Sequence, residues 1–236
     1  IEQGHEVHVA YQTSGNIAVS NSDVLKYVEV YESFSNKNDK ELISLLKFNN
    51  EILNNKKIRK IAGLIREKES LGASRFLGIP DSNVHFLKLP FYETGSVKKS
   101  IPTASDKEII SNMISEIKPH QIYAAGDLAD PHGTHKVCLD IFFDVLQELK
   151  SEKFMKDCWV WLYRGAWHEW EIHQIDMSVP MSPNQVLRKR KAIFYHQTQK
   201  DNVMFQGDDD REFWVRTEDR NLAIATRFRK IGMPDY

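Results

Sequence analysis

The chain has 236 residues, a mass of 27.5 kDa, 41% hydrophobic residues and a formal charge of −1. That suits one large domain with a proper core, and it offers a polyanion little to hold, which sets aside nucleic acid and anionic membranes as partners. No run approaches the ~18 apolar residues of a membrane span, no charged-then-apolar leader opens the chain, and Cys138 and Cys158 are too few for a disulfide framework, so a reducing, cytoplasmic setting is expected.

Ile1 to Gly4 reads as the last turn of a helix closed by a glycine, followed at once by a strand from Val7 to Thr13. A helix end without its start suggests that something preceded it, and Gly232 and Pro234 give the other end a similarly abrupt close. The small-residue loop Thr13-Ser-Gly-Asn16 leaves the first strand at its carboxyl end, with functional and structural uses both open. Helical spacing of apolar residues then predicts helices over 22–34 and 39–53, and a long one over 56–77 that Gly78 ends. Arg66 and Glu69 lie three apart on it, a spacing that is usually an exposed ion pair of little worth.

Alternation predicts a strand over 84–89, and Pro90 to Gly95 reads as a turn-rich loop. Ser105-Asp-Lys-Glu108 reads as a capping box for a helix over 107–117. The apolar run Ile122 to Ala125 then feeds the polar loop Asp127-Leu-Ala-Asp-Pro-His-Gly-Thr-His135, and a helix follows over 137–149. In parallel α/β sheets, ligands bind beyond the carboxyl ends of strands, and His132 and His135 fall there. If Pro131 opens the helix, both imidazoles share a face and could serve as one metal ligand and one acid/base. The bland alternative is a pair of polar residues capping a helix.

Beyond Leu149 two aromatic strands are expected, 158–163 and 166–173. Their tryptophans could form a sugar-stacking wall or pack in the core. The basic run Arg188 to Lys191 spreads around a helix over 183–196 and reads as a solvated face, while His196 stands where a side chain could return to the crevice. A last helix runs from the acidic stretch at Asp208 to about Lys230. Strands alternating with helices imply βαβ units and a mostly parallel sheet.

These pieces together resemble the PIG-L or LmbE-like family of zinc-dependent N-acetylglucosaminyl deacetylases. The matching segments are Gly4-His-x-Val-x-Val9 leading to Thr13-x-Gly15, Arg66-x-x-Glu69 with Ala73 and Leu77-Gly78, His132-x-x-His135, and Lys191-Ala-Ile with His196-Gln-x-Gln199, in order across most of the chain. More narrowly, the chain is similar to the LmbE-like domain fused behind a glucosamine-6-phosphate deaminase domain in certain bacterial proteins. The resemblance implies a three-layer Rossmann-like α/β fold formed by residues 1–236 as a single domain, an amino-sugar ligand and a fused deaminase-type partner. It makes His135 a zinc ligand, His132 a catalytic imidazole, and Arg66 a substrate contact, with His196 placed beside the substrate.

Three departures accompany it. Gly133-Thr134 replaces the middle of the family's usual His-Pro-Asp-His loop, an acidic residue expected after the third strand is not evident at Pro90-Phe-Tyr92, and the family's His-Pro-Asp-Asp run is absent. That run would carry two zinc ligands and the general base at the end of a first strand upstream of Ile1. The expectation is therefore a domain truncated at its amino end, and at its carboxyl end too, that as given binds zinc poorly, hydrolyses nothing and leaves ladder edges for self-association to cover. The alternative is a non-catalytic sugar-binding or assembly module attached to a glucosamine-6-phosphate deaminase. Deamination by this chain itself has little support, since no Gly-rich phosphate cradle appears.

Overall fold

A computed structural model describes residues 1–35, 43, 55–96, 98–126, 133–164, 168–200 and 211–233. These residues divide into two units, one of residues 1–88, 92–99 and 189–213 and one of residues 89–91, 100–188 and 214–236.

In the first unit, strand β1 (Val9–Tyr11) pairs in parallel with β2 (Val84–Phe86), Ala10 standing opposite His85. Helices α1 (Asn21–Ser35) and α2 (Lys56–Leu77) lie between them in sequence and pack on each other. Their core is Val24, Val28, Ile58, Ala62 and Ile65, at helical spacing that turns one stripe of each helix inward, with Val19 from the preceding loop. The ends of α2 follow from its capping residues. Asn55 accepts the backbone N–H groups of Lys57 and Ile58 at 2.9 and 3.2 Å. Gly78 takes a φ of 88°, so that its own N–H and that of Ile79 reach back to Arg75 and Ser74. On the face shared by His8 and His85, His8 Nδ1 lies 3.0 Å from His85 Nε2 and His8 Nε2 lies 3.2 Å from Glu6. The 5.3 Å between ring centroids matches that gap plus a ring radius on either side, so the two imidazoles meet edge to edge.

The second unit holds α3 (Ala104–Ile117), β3 (Gln121–Ala125), α4 (Thr134–Leu149) and β4 (Trp159–Tyr163). β3 and β4 are parallel, Gln121 opposite Trp159 and Ala125 opposite Tyr163, with α4 as their crossover. α3 packs on α4, burying Ile110, Ile114, Leu139, Phe142 and Val145. Asp106, fully buried, accepts the backbone N–H groups of Phe91 at 2.9 Å and Thr103 at 2.8 Å and the Thr103 hydroxyl at 3.0 Å. α5 (Pro183–Ile193) and α6 (Phe213–Lys230) complete the helices among the described residues. No helix among them is long and apolar enough to cross a membrane.

The α/β class expected from the sequence is borne out, and both sheets are parallel. The described strands form two separate two-stranded ladders rather than one sheet. Several boundaries shift. The box that opens α3 uses Thr103 and Asp106 instead of Ser105 and Glu108, because the Asp106 carboxylate also holds the Phe91 N–H. The described part of the expected strand over 166–173 is not one: residues 168–170 are irregular and Ile172–Gln174 form a 3-10 turn, while Trp170 lies under the Arg164 guanidinium at 3.7 Å. The Arg164 Nε also donates to Gly126 O at 3.2 Å, so this segment packs by side chains where a ladder was expected. α5 stops at Ile193, three residues short of His196. The expected helix over 39–53 falls, apart from Ile43, outside the described residues. Core packing fails as the use of Trp159 and Tyr163. They are 65% and 55% exposed and share a face with Tyr123, 53% exposed, whereas Val160 and Leu162 alternate onto the other side.

Candidate functional site

The loop that leaves β1 runs back along α2, and glycine is what lets it lie close. Gly15 has a φ of 63°, and a Cβ there would start 3.2 Å from Arg66 Nε. One turn earlier on α2, a Cβ on Gly63 would meet the Cβ atoms of Ser14 and Asn16 at 3.6 and 3.7 Å. Asn16 is 5% exposed, and its Nδ2 donates to Glu93 at 3.1 Å. Glu93, one residue beyond the Pro90-Phe-Tyr92 stretch, thereby lies against the loop that leaves β1. Its place next to Asn16 becomes visible only when β1 and β2 are paired.

Arg66 and Glu69 share a face of α2, and the ion pair they make is not the solvated one the spacing suggested. Arg66 Nη1 donates to Glu69 Oε2 at 3.2 Å with the Glu69 side chain 5% exposed. The same carboxylate accepts the Thr198 backbone N–H on Oε1 and the Thr198 hydroxyl on Oε2, both at 2.8 Å. Burial lowers the pKa of the Arg66 guanidinium from its ordinary value, against the raising influence of Glu69, Tyr92 and Tyr11.

His196 precedes Thr198 in a hydrogen-bonded turn, its N–H donating to Ile193 O and the Gln199 N–H donating to His196 O, each at 2.9 Å. Gln199 Nε2 donates to Ala18 O at 2.6 Å, which fixes the turn to the loop after β1. Burial, and secondly the positive charge of Arg66, push the His196 imidazole down to about 4, so the ring is neutral at pH 7. The structure therefore brings together Arg66 and His196, which the sequence singled out separately, and adds Asn16, Glu69, Glu93 and Thr198. Among the described residues, the buried Arg66 Nε, His196 Nδ1, Asn16 Oδ1 and Ser14 Oγ have no hydrogen-bond partner. Buried polar groups left open in this way cost free energy until something meets them, and a ligand rich in hydroxyl groups can both donate and accept.

His135 belongs to the other unit, in the first turn of α4. That helix starts at Thr134, preceded by Gly133 at a φ of 66°. His132 itself lies outside the described residues. Among those residues no group of three or more His, Cys, Asp or Glu side chains could hold a metal ion. A catalytic zinc needs three protein ligands and a water, and the described residues alone do not fit it.

No family model matches the chain. The chain is similar to a protein of Bacteroides thetaiotaomicron named a glucosamine-6-phosphate deaminase-like protein, at 46% identity over 250 aligned residues that cover all of this chain. It spans 38% of that relative's length, so the similarity is to one part of a longer protein.

Proposed function

We propose that this chain is an amino-sugar-binding part of a larger amino-sugar-processing protein, with Arg66, His196, Asn16 and Glu93 contacting the ligand. The observation that carries this reading is the set of buried, unpartnered polar atoms on Arg66, His196, Asn16 and Ser14 gathered on α2 and the loop after β1. A pyranose ring presents hydroxyl and amine groups that can satisfy donors and acceptors together. The name of the Bacteroides relative supports an amino sugar over other polyols. The test is calorimetric titration of this chain with glucosamine, N-acetylglucosamine and glucosamine 6-phosphate. Binding of at least one of them, lost in R66A, is the expected result; equal affinity for glycerol or no binding at all overturns the reading.

A finer reading extends this to zinc-dependent N-deacetylation within a three-layer Rossmann-like domain, His135 serving as a ligand and His132 as acid or base. Its support is the ordered set of sequence motifs, and its remaining ligands would have to come from residues other than those described. The full-length relative offers the assay. Acetate release from N-acetylglucosamine derivatives that a chelator abolishes supports deacetylation, and a metal-free protein with chelator-insensitive or absent turnover refutes it.

A further inference from the structure

We propose that Glu69 is a positioning residue: its buried carboxylate holds Arg66 on α2 and, through Thr198, the turn that carries His196, so that the two ligand contacts keep one fixed relation. The identity of what binds rests on the amino-sugar reading above; the manner in which the pair is held does not.

The argument begins with how the carboxylate spends its lone pairs. A buried ion pair whose only role was to neutralise charge would engage the guanidinium with both oxygens, since the bidentate arrangement is the stronger one. Glu69 instead gives Arg66 a single bond at 3.2 Å and gives its two shorter bonds, both 2.8 Å, to Thr198. Arg66 Nε is left buried and without a partner. A guanidinium held at one corner, with its Nε edge open beneath Gly15, is poised for something other than Glu69.

The other end of the link is as specific. Thr198 offers its backbone N–H to one oxygen and its hydroxyl to the other, so the turn is held at two points on the carboxylate. Gln199 adds a third attachment, to Ala18 O at 2.6 Å and to Thr198 O at 2.8 Å. With the 196–199 turn fastened to α2 on one side and to the post-β1 loop on the other, the His196 ring is confined beside Arg66 with Nδ1 unpartnered. One donor from Arg66 and two from Thr198, 129 residues beyond Glu69, therefore converge on one carboxylate.

Two measurements on E69Q test this. The first needs no ligand: the titration midpoint of His196, followed by proton NMR. Neutralising Glu69 while the turn stays in place leaves more net positive charge beside the ring and lowers the midpoint, whereas releasing the turn into water raises it. An upward shift of at least one pH unit is expected; an unchanged or lowered midpoint overturns the proposal. The second is a double-mutant cycle on glucosamine affinity. E69Q is expected to weaken binding at least tenfold in the wild-type background and to have little further effect in R66A/H196Q, and an additive loss overturns it. Should E69Q fail to fold, T198V, which removes the hydroxyl bond alone, is expected to raise the His196 midpoint by a smaller amount, and no rise overturns the proposal. If the wild-type chain binds neither glucosamine nor N-acetylglucosamine, the amino-sugar reading fails by itself, and the His196 titration still decides the role of Glu69.

Discussion

Arg66 Nε sits 3.2 Å from the point at which a side chain on Gly15 would begin, and Gly15 itself is left-handed at a φ of 63°. Both facts bear on G15A. The left-handed backbone costs a non-glycine residue about 1–2 kcal/mol. The added methyl also presses on a guanidinium that Glu69 holds from the other side. G15A is expected to lose more stability in urea unfolding than the backbone cost, and in an R66A background only that cost should remain. Equal losses in both backgrounds would show that the methyl does not reach Arg66.

The neutral His196 predicts a particular pH dependence. Its folded pKa, about 4, lies below the ordinary imidazole value of 6.5, so between those two pH values the unfolded chain binds the proton and the folded chain does not. Stability is therefore fully present above pH 6.5 and falls as the pH drops toward 4, below which the native state also takes up the proton. Urea midpoints measured from pH 7 to 4 should decline less steeply in H196Q than in the wild type. A wild-type and variant pair with parallel declines would remove His196 as a source of acid lability.

Asp106 anchors three donors with no access to water. D106A orphans the Phe91 and Thr103 N–H groups and is expected to cost on the order of 3 kcal/mol, a size typical of leaving buried partners of a charged group unmet. D106N keeps the volume but can accept on one atom only, so it should recover less than half of that loss. The check is the change in denaturation midpoint at constant slope.

Much of the scaffold was legible because its signals are local. Asn55 and Gly78 bracket α2 within a residue, since capping depends on hydrogen bonds made a few positions away. What misled depended on more than such local signals. The Arg66 and Glu69 spacing looks like a surface pair until Thr198, 129 residues on, is placed against it. The bond of Asn16 to Glu93, 77 residues on, likewise has no local signal. The aromatic run after Tyr163 alternates as a strand would, yet the cation and ring contact of Arg164 with Trp170 uses those side chains otherwise. The expected pairing of His132 with His135 lies partly outside the described residues, where α4 itself begins at Thr134.

The aromatic face of β4 gives a further expectation. Trp159 is 65% exposed, far more than a core tryptophan, so iodide should quench part of the chain's tryptophan fluorescence, and W159F should lower the quenchable fraction. An unquenched emission would mean that this face is covered in solution.

The bonds that Glu69 makes to Thr198 and Gln199 makes to Ala18 span 129 and 181 residues. A ribosome adding roughly 5–20 residues per second needs several seconds to produce the acceptor's distant partners. During that interval α1 and α2 can already share their apolar stripe while the polar rim of α2 remains hydrated. The 196–199 turn then acts as a late latch, closed after the helices have met, and substitutions in it should hasten unfolding far more than they slow folding.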